Sequence, residues 1–341
     1  MPAESPAVAP LREFIRALPK AETHLHMEGA CPFELLQRAD PVRHARPPVF
    51  WEESFKYTSF NQFMDLYVAY CGEFFTSAER YHDAARIVLA TCAAQGCRYV
   101  ETSFHLPTLL SMKDTGPEVI RAIKAAAPRG LELRVFAGMC HDTYQGAGKD
   151  LVDDALSWPE LDGIDLHGCE DLPLEPWTGE VWARARRAGK FTKAHAGEFM
   201  GAGFMERILD ELGVTRIEHG IRSVESQATL ARLRREGIAL DVCPLSNVKL
   251  AVSGIRSMAD HPIRRLFDAG ITVTVSSDDP FFLNNTLTQE YEALHRDLGF
   301  SRSELVRVAE NSLRVALVPE HVRGAWLNEL ADVAVRTAVA E

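Results

Sequence analysis

The chain has 341 residues, 46% of them apolar, enough to bury a large core and close to the length of one α/β barrel with additions. Its formal net charge is −11 with Lys and Arg scattered along it, which speaks against a nucleic-acid backbone as partner. Seven cysteines, an odd number without C-x-x-C pairing, read as reduced intracellular thiols and not as a disulfide framework.

Met1–Pro10 is rich in Pro and Ala and has neither a basic n-region nor an apolar h-region, so no secretory signal is expected. No stretch approaches the roughly 18 apolar residues of a membrane span. The expectation is a soluble, cytoplasmic protein with a single domain over residues 1–341. Short apolar runs then alternate with longer amphipathic segments, the pattern of repeated βα units. Strands are expected at Ala21–His26, Tyr99–Phe104, Leu131–Ala137, Gly163–Leu166, Phe191–His195, Arg216–His219, Ala239–Val242 and Thr272–Ser276. Helices are expected at Ala78–Gln95, Pro117–Ala127, Glu180–Ala188, Phe204–Leu212, Ser223–Glu236 and Pro262–Ala269. Gly96, Gly189, Gly213, Gly237 and Gly270 follow such segments closely, where a glycine closes a helix. Leu305–Leu317 and Val322–Val339 add C-terminal helices after the eighth strand. This alternation suggests an α/β fold of the (β/α)8 TIM-barrel type, with a doubly wound sheet as the alternative.

One interval breaks the rhythm. Roughly 70 residues separate the first two strands, far more than an ordinary connection. The insertion is aromatic, with Phe50, Trp51, Phe55, Tyr57, Phe60, Phe63, Tyr67, Tyr70, Phe74 and Phe75 among its residues. A helix is expected over Ser59–Phe75 near the barrel mouth. Its rings either pack that helix down or wall an apolar pocket for a planar ligand.

The chemistry-bearing residues gather at strand ends. Residues two apart on a strand share a face, so His24 and His26 both look inward at the C-terminal mouth. His195 closes the fifth strand, His219 closes the sixth, and Asp278 lies just past the eighth. Barrel active sites are built at these ends. Three histidines and a carboxylate make a nitrogen/oxygen set for one borderline divalent cation, zinc first among candidates. Glu198, His219 and Asp279 are the residue types that move protons around an activated water. One strand-end histidine is more often structural; five coincidences reverse those odds. Blander roles exist for the others: Glu198 as partner of Lys193, Asp279 as a helix N-cap, and Gly168 as a strand end. His44, His82, His141, His261, His295 and His321 read as surface or capping residues.

The segment from Pro19 to Ala30, containing Thr23-His24-Leu25-His26-Met27-Glu28-Gly29, resembles the opening motif of the adenosine deaminase family within the amidohydrolase superfamily. His195-Ala196-Gly197-Glu198, Glu218-His219-Gly220 and Ser277-Asp278-Asp279-Pro280 follow in that family's order. Asp165-Leu166-His167-Gly168-Cys169-Glu170 and Cys243-Pro244-Leu245-Ser246-Asn247 extend the likeness, which runs from about Leu11 to Leu317. The resemblance implies hydrolytic deamination at C6 of a 6-aminopurine. It implies one zinc ion per chain, held by His24, His26, His195 and Asp278. Glu198 would protonate ring N1, and His219 would orient or deprotonate the water and stabilise developing charge. Asp279 would bond N7, the Gly168 N–H would contact N3, and His26 and Glu28 would border the substrate.

Two related chemistries fit less well. The fourth strand, Gly163–Gly168, lacks the bridging lysine of binuclear amidohydrolases, which favours one metal. No P-C-x-x-C follows His26-Met27-Glu28, which excludes the cytidine-type zinc deaminases. A non-catalytic adenosine-binding relative would have lost a metal or proton-transfer residue, and none is missing. The main expectation is adenosine-to-inosine deamination; the alternative is adenine, an N6-substituted adenine or aminodeoxyfutalosine. Glu28 stands where nucleoside-specific members carry an Asp that binds the ribose 5′-hydroxyl, and Glu-Gly resembles the adenine deaminases. Asp165–Glu170 looks more like the nucleoside enzymes.

Overall fold

The structure is a computed structural model and describes residues 10–338. The stretch Met1–Pro10, where no secretory signal is expected, lies outside the described residues apart from Pro10, as does the last residue of the helix expected over Val322–Val339.

Eight parallel strands form one sheet in sequential order: β1 Lys20–Glu22, β2 Cys97–His105, β3 Glu132–Cys140, β4 Gly163–His167, β5 Phe191–Ala196, β6 Arg216–His219, β7 Ala239–Val242 and β8 Thr272–Val275. With helices between them, this is the expected (β/α)8 barrel and not a doubly wound sheet. β1 is shorter than expected. Beyond Glu22 the chain keeps only isolated parallel bridges, Leu25 to Asp278 and His26 to Ser103. Those bridges close the barrel: the His26 N–H donates to Asp278 O at 3.0 Å, and the Asp278 N–H donates to His24 O at 3.1 Å.

The long insertion folds as helix Phe33–Ala39, a single turn at Val49–Trp51, and helix Phe60–Cys71. The last is shorter than the expected Ser59–Phe75: Ser59 is its N-cap and accepts from the Gln62 N–H, and Gly72 is its C-cap after Cys71. The helix expected over Ser223–Glu236 is interrupted. Extended Ser226 ends one turn, Ile221–Glu225, and caps the next helix, Gln227–Glu236. Helices Arg302–Arg314 and Glu320–Ala338 supply the expected C-terminal addition. Helices Leu11–Ala17, Ala147–Ala155, Pro244–Lys249 and Leu287–Leu298 were not anticipated. Among the described residues, no helix is long and apolar enough to cross a membrane.

The barrel interior is charged beneath the mouth. Arg216 on β6 reaches Glu101 on β2 at 2.7 Å and Asp241 on β7 at 2.5 Å. Strands β2 and β6 lie on opposite sides, so that contact crosses the lumen. Lys193 on β5 lies 2.5 Å from Glu218 on β6. All five side chains are buried. Each charge therefore needs its partner, because an unpaired one would be desolvated without compensation.

Candidate active site

Above this charged layer, three imidazoles face one another. His24 Nδ1 lies 3.2 Å from the Asp241 carbonyl oxygen, and His26 Nδ1 lies 2.9 Å from Ser103 Oγ. His195 Nδ1 is 2.8 Å from a Glu218 oxygen, 3.1 Å from Leu166 O and 3.3 Å from Asp165 Oδ1. With each Nδ1 tied outward, the Nε2 atoms are left to the centre. His24 and His26 Nε2 are 3.3 Å apart, and Asp278 Oδ1 lies 3.3 Å and 3.4 Å from them. Those separations match the edge of a donor tetrahedron with bonds of about 2.0–2.1 Å. Ring nitrogens of His24, His26 and His195 all fall within 4.8 Å of one another. The four residues fit a divalent cation.

Electrostatics separate the two adjacent aspartates. Burial opposes ionisation of Asp278, but His24 and the neighbouring imidazoles hold it well below the usual carboxylate range. Burial and the Asp278 charge push Asp279 well above its own. Burial, Asp278 and Glu170 do the same to Glu198, which favours its acid form. Asp278 adopts φ 66°, an uncommon conformation for a non-glycine residue, and Ser246 Oγ donates to its Oδ2 at 2.6 Å. Asp279 Oδ1 has no hydrogen-bond partner, and a Cβ on Gly29 would sit 1.5 Å from it. Only glycine leaves that carboxyl its place.

The proton-transfer residues are linked. Asn247 donates to Glu198 Oε1 at 3.2 Å and approaches His219 Nδ1 at 3.3 Å, while its Oδ1 lies 3.1 Å from His261 Nε2. His219 Nε2 is 3.5 Å from Glu198 Oε2. Glu170 accepts from the N–H groups of Glu198, Phe199 and Met200 at 3.0, 3.1 and 2.7 Å, and so fixes the loop after β5. Lys193 pairs with Glu218 and Glu101, not with Glu198. Asp279 occupies an N-cap position, yet its side chain makes no capping bond.

A cavity of about 160 Å3 opens onto these groups. His26, Gly168, His195, Glu198, His219, Asp278 and Asp279 line it, as do Phe60, Phe63, Met64, Tyr67 and Val68 of the inserted helix. Of the expected substrate-side residues, Glu28 alone is not on this wall. It is buried, accepting from Tyr81 Oη at 2.5 Å and from the His105 N–H at 2.9 Å. His24 lies behind the wall as an inward donor.

Several residues escaped the sequence reading. Ser103 is one; Asp165, Glu218 and Asn247 entered only as motif members without a role, and all four orient functional side chains on other elements. His261 was expected at the surface or in a cap, but it is buried within the Asn247 network; His44 and His141 are buried too. His105 and His167 line the cavity. They stand at the ends of expected strands two and four, the same placement that singled out His195.

A family model described as adenosine deaminase matches residues 19–333. This chain belongs to the adenosine deaminase family. As a member it is a hydrolase acting on the C–N bond in purine deamination. An adenine deaminase from Chlorobium luteolum is 31% identical over 333 residues, covering 94% of this chain and 96% of that protein. Another from Wolinella succinogenes is 32% identical over 330 residues, covering 94% and 99%. The crystal structure of an adenine deaminase from Arthrobacter aurescens has a TM-score of 0.82 at 28% identity, covering 92% of this chain and 98% of that one. An amidohydrolase from Burkholderia ambifaria with bound Zn shares the fold, with a TM-score of 0.82 at 24% identity over 96% and 94% of the two chains.

Proposed function

We propose that this chain deaminates the free base adenine, using one zinc ion held by His24, His26, His195 and Asp278. The nucleoside reading, adenosine to inosine, gives way to the base. The observation that carries this choice is the placement of Glu28. A carboxylate able to hold a ribose 5′-hydroxyl would have to reach the cavity, whereas Glu28 is committed to Tyr81 and the His105 backbone. The inserted helix adds mainly apolar side chains to the wall, so a buried sugar hydroxyl facing it would go unpaired at a cost of about 1–3 kcal/mol. The space is also smaller than the roughly 300–1,000 Å3 of clefts that take drug-sized ligands. The curated relatives reported above share the same activity in their names.

When bound, zinc supplies a water activated for attack near neutral pH. The remaining work belongs to the chain. Glu198, whose carboxyl is pushed above its usual range by burial and the nearby carboxylates, donates to ring N1 and makes C6 a better electrophile. Burial and the nearby His24 keep His219 neutral, and Nδ1 accepts from Asn247, so its proton stands on Nε2. There it orients the attacking water and stabilises charge growing at the reacting carbon. Asp279 meets N7 with its unpartnered oxygen, and the Gly168 N–H meets N3. His26 borders the base, and Phe60, Phe63 and Tyr67 exclude bulk water.

The test is ammonia release from adenine, adenosine, 2′-deoxyadenosine and aminodeoxyfutalosine, and methylamine release from N6-methyladenine, by zinc-loaded protein. Adenine is expected to lead in kcat/KM by about ten-fold or more, equivalent to about 1.4 kcal/mol of transition-state discrimination. A nucleoside lead of that size overturns the base assignment. Absence of turnover on all five rejects the purine reading.

A further inference from the structure

Three more donors stand on the cavity wall outside the catalytic set. His105 ends β2, Cys140 ends β3 and His167 ends β4. In the strand register His105 pairs with Gly138, and Cys140 pairs with His167. His105 Nδ1 and His167 Nε2 are 3.0 Å apart. A ring nitrogen of each histidine and the Cys140 sulfur all lie within 4.8 Å of one another.

The surroundings hold this cluster in place. A Cβ at Gly138 would fall 2.4 Å from the His167 ring, so glycine is what leaves the imidazole its room. On another side His167 packs against the His26 ring at a centroid distance of 5.4 Å. The His105 backbone is pinned by Glu28. Cys140 Sγ faces Gly168, where a Cβ would approach to 3.1 Å.

Two imidazoles and a thiol are donors of the Cys/His zinc type. The catalytic set shows the same signature, two histidine nitrogens 3.3 Å apart at an edge of the donor cluster. In each pair a cation can replace the interaction that joins the rings. His105 and Cys140 also line a second cavity of about 300 Å3 beside Asp142 and Gln145. Neither Glu198 nor Asp279 lines that cavity. Asp142 is near enough to act electrostatically on both His105 and Cys140, and it brings an oxygen donor to that side.

We infer that His105, Cys140 and His167 form a second, weaker site for a borderline or soft divalent cation such as Zn2+, and that its occupancy inhibits the enzyme. Binding forms the metal–sulfur and metal–nitrogen bonds, releases the thiol proton to solvent, and moves the proton shared by the rings to an outer ring nitrogen. No redox partner is needed. The site is weaker because it offers three residues from the chain where the catalytic set offers four. It inhibits because His167 adjoins Gly168, so the ion takes space on the wall where the base would lie.

Zinc-loaded protein titrated with Cd2+ in the absence of substrate tests this directly. A second equivalent is expected after equilibrium dialysis, together with a thiolate-to-metal charge-transfer band. Excess Zn2+ is expected to inhibit deamination reversibly. Cys140→Ser and His105→Ala should each keep the first equivalent, lose the band and raise the inhibitory Zn2+ concentration by about ten-fold or more. A single equivalent, a second one without the band, or a band that persists in Cys140→Ser overturns the site. Metal content is read without substrate, so failure here leaves the adenine reading standing, and failure on adenine leaves this site standing.

Discussion

His195 shows how one side chain here depends on several others. Its Nδ1 is fixed by Glu218, Asp165 and the Leu166 carbonyl, which leaves a single nitrogen for a cation. His195→Ala is therefore expected to abolish stoichiometric zinc, read by elemental analysis; retention would show that the donor set is wrong. Glu198 makes no bond to the other three donors, so Glu198→Gln should keep the metal while turnover falls by about 10²–10⁴-fold. Gly29→Ala isolates a neighbour. The added methyl would overlap Asp279 Oδ1, and the carboxyl must move while the Asp278 donor stays in place. We expect zinc retained and kcat/KM for adenine reduced by about a hundred-fold, in line with ångström-scale misplacement of a contacting group. Wild-type kinetics in this variant would remove Asp279 from the site.

The loop after β5 exists in its active form because Glu170 gathers three successive N–H groups. Glu170→Gln removes the charge from that cradle and leaves an amide that accepts through one oxygen only. Turnover should fall by about ten- to a hundred-fold with zinc content unchanged, since bonds to a charged acceptor contribute about 1.5–3 kcal/mol each. Unchanged kcat would show that the loop holds itself. The same loop explains what the amino-acid order could reveal. His195 and Glu198 are three apart and end a β run, so they are visible locally. Glu170 is visible only as part of a motif, because its partners lie 28 to 30 residues away. Elements followed a parallel rule. All eight strands were readable as apolar runs between helices, but β1 was overextended because its last residues pair across the seam with β8 and β2. Helix Leu287–Leu298 was missed although Thr286 caps it; its buried Glu290 and Thr288 blur the apolar stripe.

Across the whole molecule, charge fills the barrel and the proposed metal donors close it. Lys193 lies between Glu218 and Glu101 in a buried layer that also carries Arg216 and Asp241. Lys193→Met keeps the bulk and strands Glu218 without its cation, so unfolding by denaturant should show a loss of about 3–5 kcal/mol. A smaller loss would show that Glu218 takes up a proton instead. The seam between β8 and β1 is different in kind. It has no ladder of its own: its backbone bonds run among His24, His26 and Asp278, three of the four proposed donors, and side-chain bonds join Thr23 to Ser276 and Glu22 to Ser277 below them. A cation bound by these residues would tie the two edges together at the mouth, and its removal would leave that upper end of the junction to two backbone hydrogen bonds. Hydrogen exchange should register this locally. Chelation is expected to lower protection of the His26 and Asp278 amides, while the ladders from β2 to β7 change little, because local opening follows local bonding. Uniform loss around the barrel would instead mean that the ion supports the whole fold. No change at the seam would place the cation elsewhere.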